Sequence, residues 1–253
     1  MKAYAILLAA AAVIGMAAPL AAAPAYIEKA VSDSARPETD TARDAARKPA
    51  EMLVFAGVQP GQAVVDLLPG GGYFTRIFAK AVGPKGRVYA YFGNQSDERL
   101  RSQGKDPDNQ FADLKRTYPN LSVLHGPLAD FATPEPVDLV WTSLNYHDLH
   151  NKGYGGLDLV AFNKAIFKSL KPGGIYVVID HRAAKGEGPT VTSSLHRMDE
   201  DIAKQEVEAA GFKLVAEGHA LDNPSDDRSK KVFEAGEHDH TDQFMLKFQK
   251  PRS

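Results

Sequence analysis

The chain contains no cysteine among its 253 residues. A disulfide framework, a lipid-modified cysteine and any metal site built on thiolates are therefore excluded. The G-x-S-x-G pattern of α/β-hydrolase nucleophiles is also missing, which argues against serine hydrolysis. The fold must rest on its apolar core, and 43% hydrophobic residues suffice for one globular domain of about 220 residues.

An excess of positive charge is missing too. Lysine and arginine number 30 against 32 aspartates and glutamates, a formal net charge of -2. Nucleic-acid binding needs a basic surface, so no nucleic-acid partner is predicted. The composition indicates nothing about the oligomeric state.

Long apolar runs are confined to the N-terminus. Residues 1–25 carry one charge, Lys2, then an alanine-rich run ending in Ala23-Pro24-Ala25, which fits an A-x-A cleavage site. Weak hydrophobicity and the interruption at Pro19 favour a cleaved signal peptide over a membrane span. We therefore expect an exported protein, periplasmic or secreted, with no stable membrane anchor after cleavage.

Residues 26–57 are expected to form an N-terminal arm and helix ahead of one domain at 58–253. The first part, 26–40, is polar and is predicted to be irregular, and residues 41–57 have helical periodicity. Arg43, Arg47 and Glu51 share one face of that helix. This spacing favours a solvated face over a lid.

The most informative stretch is residues 63–92, AVVDLLPGGGYFTRIFAKAVGPKGRVYAYF. Its first residues, 63–67, form a short apolar run typical of a strand buried in a parallel sheet. Gly70, Gly71 and Gly72 allow positive φ and a close approach of backbone N–H groups to a ligand. The helix predicted at 73–82 then directs its N-terminus at whatever lies over the glycines, which favours an anionic group.

The remaining periodicities alternate between strand and helix, which implies a mostly parallel sheet with helices on both faces. Strands are predicted at 121–124, 137–142, 175–180, 212–217 and 243–248, and helices at 108–117, 157–170 and 194–210.

Four segments, taken in order, resemble class I S-adenosylmethionine (SAM)-dependent methyltransferases. They are VVDLLPGGGYF, GPKGRVYAYF, VDLVWTSLNYHDLH and LKPGGIYVVIDH, with EAAGFKLV leading into the sixth strand. The chain looks closest to a group of exported predicted methyltransferases with P-G-G-G-Y in the first motif and N-Y-H-D after the fourth strand. The resemblance implies a Rossmann-like, seven-stranded, mostly parallel sheet of order 3-2-1-4-5-7-6, SAM as cofactor and a small-molecule methyl acceptor.

For cofactor binding, the resemblance and the convergence of loops at the carboxyl edge of the sheet single out one set of residues. They are Asp66, Gly70, Gly71, Gly72, Tyr73, Phe92 and Asn145. The chain departs from the family twice. Leu68 and Pro69 stand where the first glycine of the loop is usual, and Tyr91 and Phe92 replace the acid that usually ends the second strand.

The segment after the fourth strand, Asn145 to His150, carries the most reactive side chains. An imidazole can accept a proton near neutral pH when a carboxylate orients it. We predict His147 as the base, Asp148 as its orienting partner and Tyr146 as a wall of the acceptor pocket.

Two alternatives stay open. One is a non-catalytic small-molecule-binding protein on the same fold, which the departures in the cofactor loop would explain. The other is a metal-dependent lyase or hydrolase that uses His147, His150 and His181. The histidine spacing matches no known metal signature, so no metal ligand is predicted.

Overall fold

The computed structural model describes residues 22–109, 111–154, 156–234 and 238–252. Seven strands form one sheet of order β3-β2-β1-β4-β5-β7-β6, which confirms the predicted order. All neighbouring pairs are parallel except those of β7, which runs antiparallel to β5 and β6. The strands are β1 Ala63–Leu67, β2 Arg87–Gly93, β3 Leu121–Gly126, β4 Val137–Ser143, β5 Leu170–His181, β6 Lys213–Gly218 and β7 Gln243–Gln249.

Helices cover both faces of the sheet, and each face has its own apolar cluster. One cluster joins α1, α4 and α5 to the sheet, and the other joins α8 and α10 to the opposite face. The α-helices are α1 Ala25–Val31, α2 Glu38–Thr41, α3 Asp44–Arg47, α4 Pro49–Ala56, α5 Tyr73–Val82, α6 Asn94–Ser102, α7 Ala112–Thr117, α8 Leu159–Ser169, α9 Thr192–Leu195 and α10 Glu200–Ala209. None of the helices in these described ranges is long and apolar enough to cross a bilayer.

The β1–α5–β2 unit has the bounds that its periodicity predicts. Every residue of β1 is buried, as expected for a strand between two parallel neighbours. Helix α5 begins after Gly72, whose φ of 84° is left-handed, and a Cβ there would lie 2.9 Å from the ring of Phe111. Glycine is therefore required at this turn both for its backbone conformation and for the close approach of an aromatic ring.

The prediction of an irregular arm at 26–40 is wrong. Helix α1 buries Ile27 and Ala30 against α5, and the Tyr26 hydroxyl donates to the carbonyl of Val58 at 2.7 Å. The single helix predicted at 41–57 is divided, because Lys48 has a left-handed φ of 45° ahead of Pro49. The predicted signal peptide lies at 1–25, of which residues 1–21 are outside the described part of the chain.

Three other boundaries differ from prediction. Helix α6, which follows β2, was not predicted, since its mean hydropathy is low and only Asp97 is buried. The helix predicted at 194–210 is broken at His196, whose φ is 55° and beyond which Met198 bridges to Arg182. Strand β5 begins at Leu170, so Gly173 and Gly174, which separate the predicted helix at 157–170 from the predicted strand at 175–180, lie inside an irregular strand start.

Candidate active site

The site lies at the carboxyl edge of the parallel strands, between β1 and β4, where the strand order reverses. Chain segments 68–72 and 144–150 leave the sheet here, and Arg182 follows β5. Because β7 is antiparallel, the segment 238–242 that precedes it reaches the same edge beside His181. Ligands of open α/β sheets bind at such a reversal.

The glycine loop is open to a ligand on one side and held by Asn145 on the other. A Cβ added at Gly70 or Gly71 would meet no atom within 4 Å. The Asn145 amide donates to the Leu68 carbonyl at 3.0 Å, and its Oδ1 accepts from the Thr142 hydroxyl. In this structure Asn145 thus positions the loop from β4.

Asp66 is buried beneath the loop and contacts α5. Its Oδ2 accepts a hydrogen bond from the Thr75 hydroxyl at 2.6 Å, and its exposure is only 4%. Burial raises the pKa of Asp66 to about 7, although the Thr75 hydrogen bond and the charge of Arg47 oppose the shift. Asp66 therefore anchors the first turn of α5 from below the glycine loop.

The ends of β2 and β3 form a polar and aromatic wall. Phe92 stacks on His125 with ring centroids 5.7 Å apart and meets Phe111 edge-on at 5.3 Å. Asp97 bonds His125 Nδ1 at 2.8 Å. Two buried atoms here, Gln95 Oε1 and His125 Nε2, have no hydrogen-bond partner among the described residues. Such atoms are costly to bury unless a ligand or water satisfies them.

A layer of arginines from the N-terminal helices covers Tyr73 at the start of α5. The Tyr73 hydroxyl donates to Asp44 at 2.5 Å, and Arg36 pairs with the same carboxylate at 2.6 Å. The Arg47 guanidinium lies 4.3 Å from the centroid of the Tyr73 ring and donates to Ser143 Oγ at 3.4 Å.

Arg47 is therefore not on the solvated face that its helical spacing favoured. Its side chain is 11% exposed, and burial lowers its pKa. Arg43, on the preceding turn, makes two hydrogen bonds of 2.5 and 2.8 Å to Asp239. Burial alone would raise the pKa of Asp239, but His238, Arg43 and Arg47 outweigh it and hold the pKa well below its usual range. Two segments far apart in sequence are thus joined over the site.

His147 lies where the fourth strand's loop meets the end of β5. Its Nδ1 is 2.8 Å from Asp180 Oδ1, and its backbone N–H donates to Asp180 Oδ2 at 2.6 Å. Because the carboxylate accepts, Nδ1 carries a proton, and in the neutral ring the lone pair lies on Nε2, which is 3.4 Å from Asp148 Oδ1. Burial lowers the pKa of His147, but Asp180 and Asp148 outweigh burial and the net pKa is raised.

Three further histidines surround His147. The ring centroid of His196 is 5.4 Å from that of His147, and the ring centroid of His181 is 5.8 Å away. His181 Nε2 lies 3.2 Å from His238 Nε2. Burial, together with the nearby His238, His147 and Arg197, holds the pKa of His181 well below its usual range, so this ring is neutral at pH 7.

Two predicted site residues point elsewhere. Tyr146 is fully buried on the opposite face of the sheet, where its hydroxyl donates to Glu206 and accepts from Asn163, each at 2.9 Å. The prediction that Tyr146 shapes the acceptor pocket is therefore wrong. His150 also turns to Glu206, at 3.3 Å, and does not join His147 and His181.

Comparison with known proteins finds a methyltransferase relative. The chain is 28% identical over 192 residues to the ubiquinone/menaquinone biosynthesis C-methyltransferase UbiE of Hydrogenovibrio crunogenus, covering 73% of this chain and 68% of the relative. No family model matches the chain.

Solved structures establish the fold. A SAM-dependent methyltransferase from Aquifex aeolicus is 19% identical with a TM-score of 0.55, covering 88% of this chain and 96% of the other. The cyclase SpnF is 15% identical with a TM-score of 0.55, covering 85% and 81%. The chain has the class I methyltransferase fold, and its 28% identical relative is a C-methyltransferase. SpnF shows that proteins of different named activity share this fold, so the activity must be argued from the site.

Proposed function

We propose that the protein is an exported methyltransferase that transfers a methyl group from SAM to a small-molecule acceptor. The observation that carries the proposal is the glycine loop after β1. At Gly70 and Gly71 the backbone faces open space, and the N-terminus of the ten-residue helix α5 follows directly. A helix start of this kind favours the carboxylate of the cofactor's amino-acid end.

The residues at the ends of β2 and β3 fit the rest of the cofactor. Gln95 Oε1 is a buried acceptor without a partner among the described residues, and it stands just after the strand that lacks the family's acid. It can accept a hydrogen bond from a ribose hydroxyl. His125 Nε2 is the second unpartnered atom, and its ring is stacked on Phe92, which is 2% exposed and belongs to the core. The missing acid is thus replaced by an amide.

The acceptor side is formed by His147. SAM, when bound, supplies a methyl group on a positively charged sulfur. Asp180 keeps the His147 proton on Nδ1, so Nε2 is the basic atom available to the acceptor's proton in the metal-free protein. Arg43, which is paired with Asp239, lies over the Tyr73 ring beside the glycine loop.

The test is calorimetric titration of the purified protein with SAM and S-adenosylhomocysteine. Gly71→Val is the informative variant, because Gly71 has no left-handed φ and a Cβ there meets nothing in the folded protein. We expect wild type to bind both ligands and Gly71→Val to bind at least about tenfold more weakly, with unchanged thermal unfolding.

Gly153→Val is the matched control, since Gly153 also has free space and an ordinary φ but lies outside the glycine loop. Equal affinity in Gly71→Val and wild type would contradict the cofactor site. Binding without any S-adenosylhomocysteine production, across a panel of acceptors, would favour the non-catalytic binding protein.

Export is tested separately. When residues 1–253 are expressed in a Gram-negative host, we expect the protein in the periplasm. Its intact mass is expected to be that of a chain whose first residue is Tyr26. A cytosolic protein that retains Met1 would contradict export while leaving the methyltransferase proposal standing.

A further inference from the structure

Three side chains near the acceptor side of the site are arranged as metal ligands. Within the described ranges, ligand atoms of His147, Asp148 and His196 all lie within 4.8 Å of one another. Asp148 Oδ1 is 3.4 Å from His147 Nε2 and 3.6 Å from His196 Nδ1. Two atoms bound to one tetrahedral zinc at about 2.0–2.1 Å are about 3.3 Å apart, so these separations are near those of a coordinated set.

A metal ion between these atoms would remove an electrostatic repulsion that exists when the His147 ring is neutral. Asp180 holds the His147 proton on Nδ1, so the lone pair of Nε2 faces a carboxylate oxygen. Two acceptors that face each other at this distance repel unless a proton or a metal ion lies between them. A carboxylate that bonds the far nitrogen of a metal-ligating histidine is the usual outer support of such sites.

Asp148 and His196 have contacts of their own that restrict their side chains. The Asn151 amide donates to Asp148 Oδ1 at 3.1 Å and orients the carboxylate. His196 has a left-handed backbone, and its ring packs against Phe233 with centroids 5.1 Å apart. The His147 side chain is 3% exposed, whereas Asp148 and His196 are 28% and 32% exposed. One buried ligand and two half-exposed ligands leave the remaining coordination positions open to a substrate or water.

We propose that His147, Asp148 and His196 bind a divalent transition-metal ion. Two imidazoles and one carboxylate suit zinc or iron(II) and are poor ligands for Mg²⁺. The inference goes beyond the proposed function, because metal binding requires no cofactor and no turnover. When the ion is bound, His147 Nε2 is a ligand and not a base, and an acceptor oxygen or nitrogen would be activated on the ion instead.

The experiment is a calorimetric titration of the chelator-treated, tag-free protein with Zn²⁺. A polyhistidine tag must be absent, since it would bind the metal itself. Wild type is expected to bind one equivalent. His196→Ala and Asp148→Asn are expected to bind at least about tenfold more weakly with unchanged thermal unfolding of the metal-free proteins. Both positions are half-exposed, so neither change opens the core.

His219→Ala is the matched control. His219 also pairs with a carboxylate, Asp222 at 2.9 Å, but it lies on the exposed surface and belongs to no three-ligand group in the described chain. Its removal is expected to leave zinc affinity unchanged. Binding of less than one equivalent of Zn²⁺ by wild type would overturn the proposed metal site. Wild-type zinc affinity in His196→Ala or in Asp148→Asn would also overturn it. Neither result would depend on whether SAM binds.

Discussion

Asp66 offers a direct test of the electrostatics beneath the cofactor loop. Its carboxyl group is buried with one side-chain hydrogen-bond donor, and burial raises its pKa from 3.8 to about 7. The unfolded chain keeps the ordinary value, so the folded protein binds this proton more tightly. The stabilisation that the protonated Asp66 carboxyl gives the folded state is therefore fully present below about pH 4 and is lost as the pH rises through about 7.

The magnitude follows from the size of the shift. Each pKa unit corresponds to about 1.4 kcal/mol, so ionising Asp66 at pH 8 costs the folded state roughly 4 kcal/mol. Asp66→Asn removes this cost, because the amide is neutral at every pH and its oxygen can still accept from Thr75. The variant should gain about 3 kcal/mol relative to wild type between pH 5 and pH 8.

Urea denaturation at several pH values measures this difference. Trp141 is the only tryptophan in the sequence, is fully buried and packs edge-on against Phe74, so its fluorescence reports the loss of the core. Other carboxylates titrate in both proteins and cancel in the difference between them. A difference that stays constant between pH 5 and pH 8 would show that Asp66 does not bind its proton near neutrality.

Two further changes test the remaining assignments. Ile27→Ala should lower the free energy of unfolding by about 2–4 kcal/mol in urea denaturation, because the Ile27 side chain is 1% exposed and packs against α5. A loss below about 0.5 kcal/mol would mean that α1 is not part of the core. Tyr146→Phe should cost about 1–3 kcal/mol, because it removes the hydrogen bond to Glu206 and leaves the buried amide of Asn163 without its acceptor. It should leave SAM affinity unaltered by calorimetry, and a large loss of affinity would return Tyr146 to the site.

The sheet could be predicted because its pattern is local. Residues 63–82 combine a short apolar run, three glycines and a helical stripe, and each feature has few structural solutions. The antiparallel β7 came from the family resemblance, since strand order is set by contacts distant in sequence. Helix α1 was missed because only Ile27 and Ala30 turn inward, too few residues to create a periodic signal.

The site was predicted less completely than the fold. The predicted ends of β4 and β5 place His147 near Asp180 at one edge of the sheet. The sequence pattern does not say towards which face of the sheet a loop side chain turns. Tyr146 turns to the face opposite the site, where it joins the second apolar cluster. Arg47 was assigned to solvent because its burial depends on Tyr73 and Ser143, which belong to other elements. The sequence did contain a signal for His125 as a site residue, since it immediately follows the predicted third strand at 121–124.

The direction of β7 explains why the histidine cluster and the arginine cover lie together. A parallel strand at this position would begin at the opposite edge of the sheet, and the residues before it would lie far from the ends of β4 and β5. Because β7 is antiparallel, residues 238–242 reach the edge where His181 ends β5. His238 then meets His181, and Asp239 meets Arg43 from the N-terminal helices. The antiparallel direction of β7 thus brings the histidines around His181 next to the arginines that lie over Tyr73 and the glycine loop.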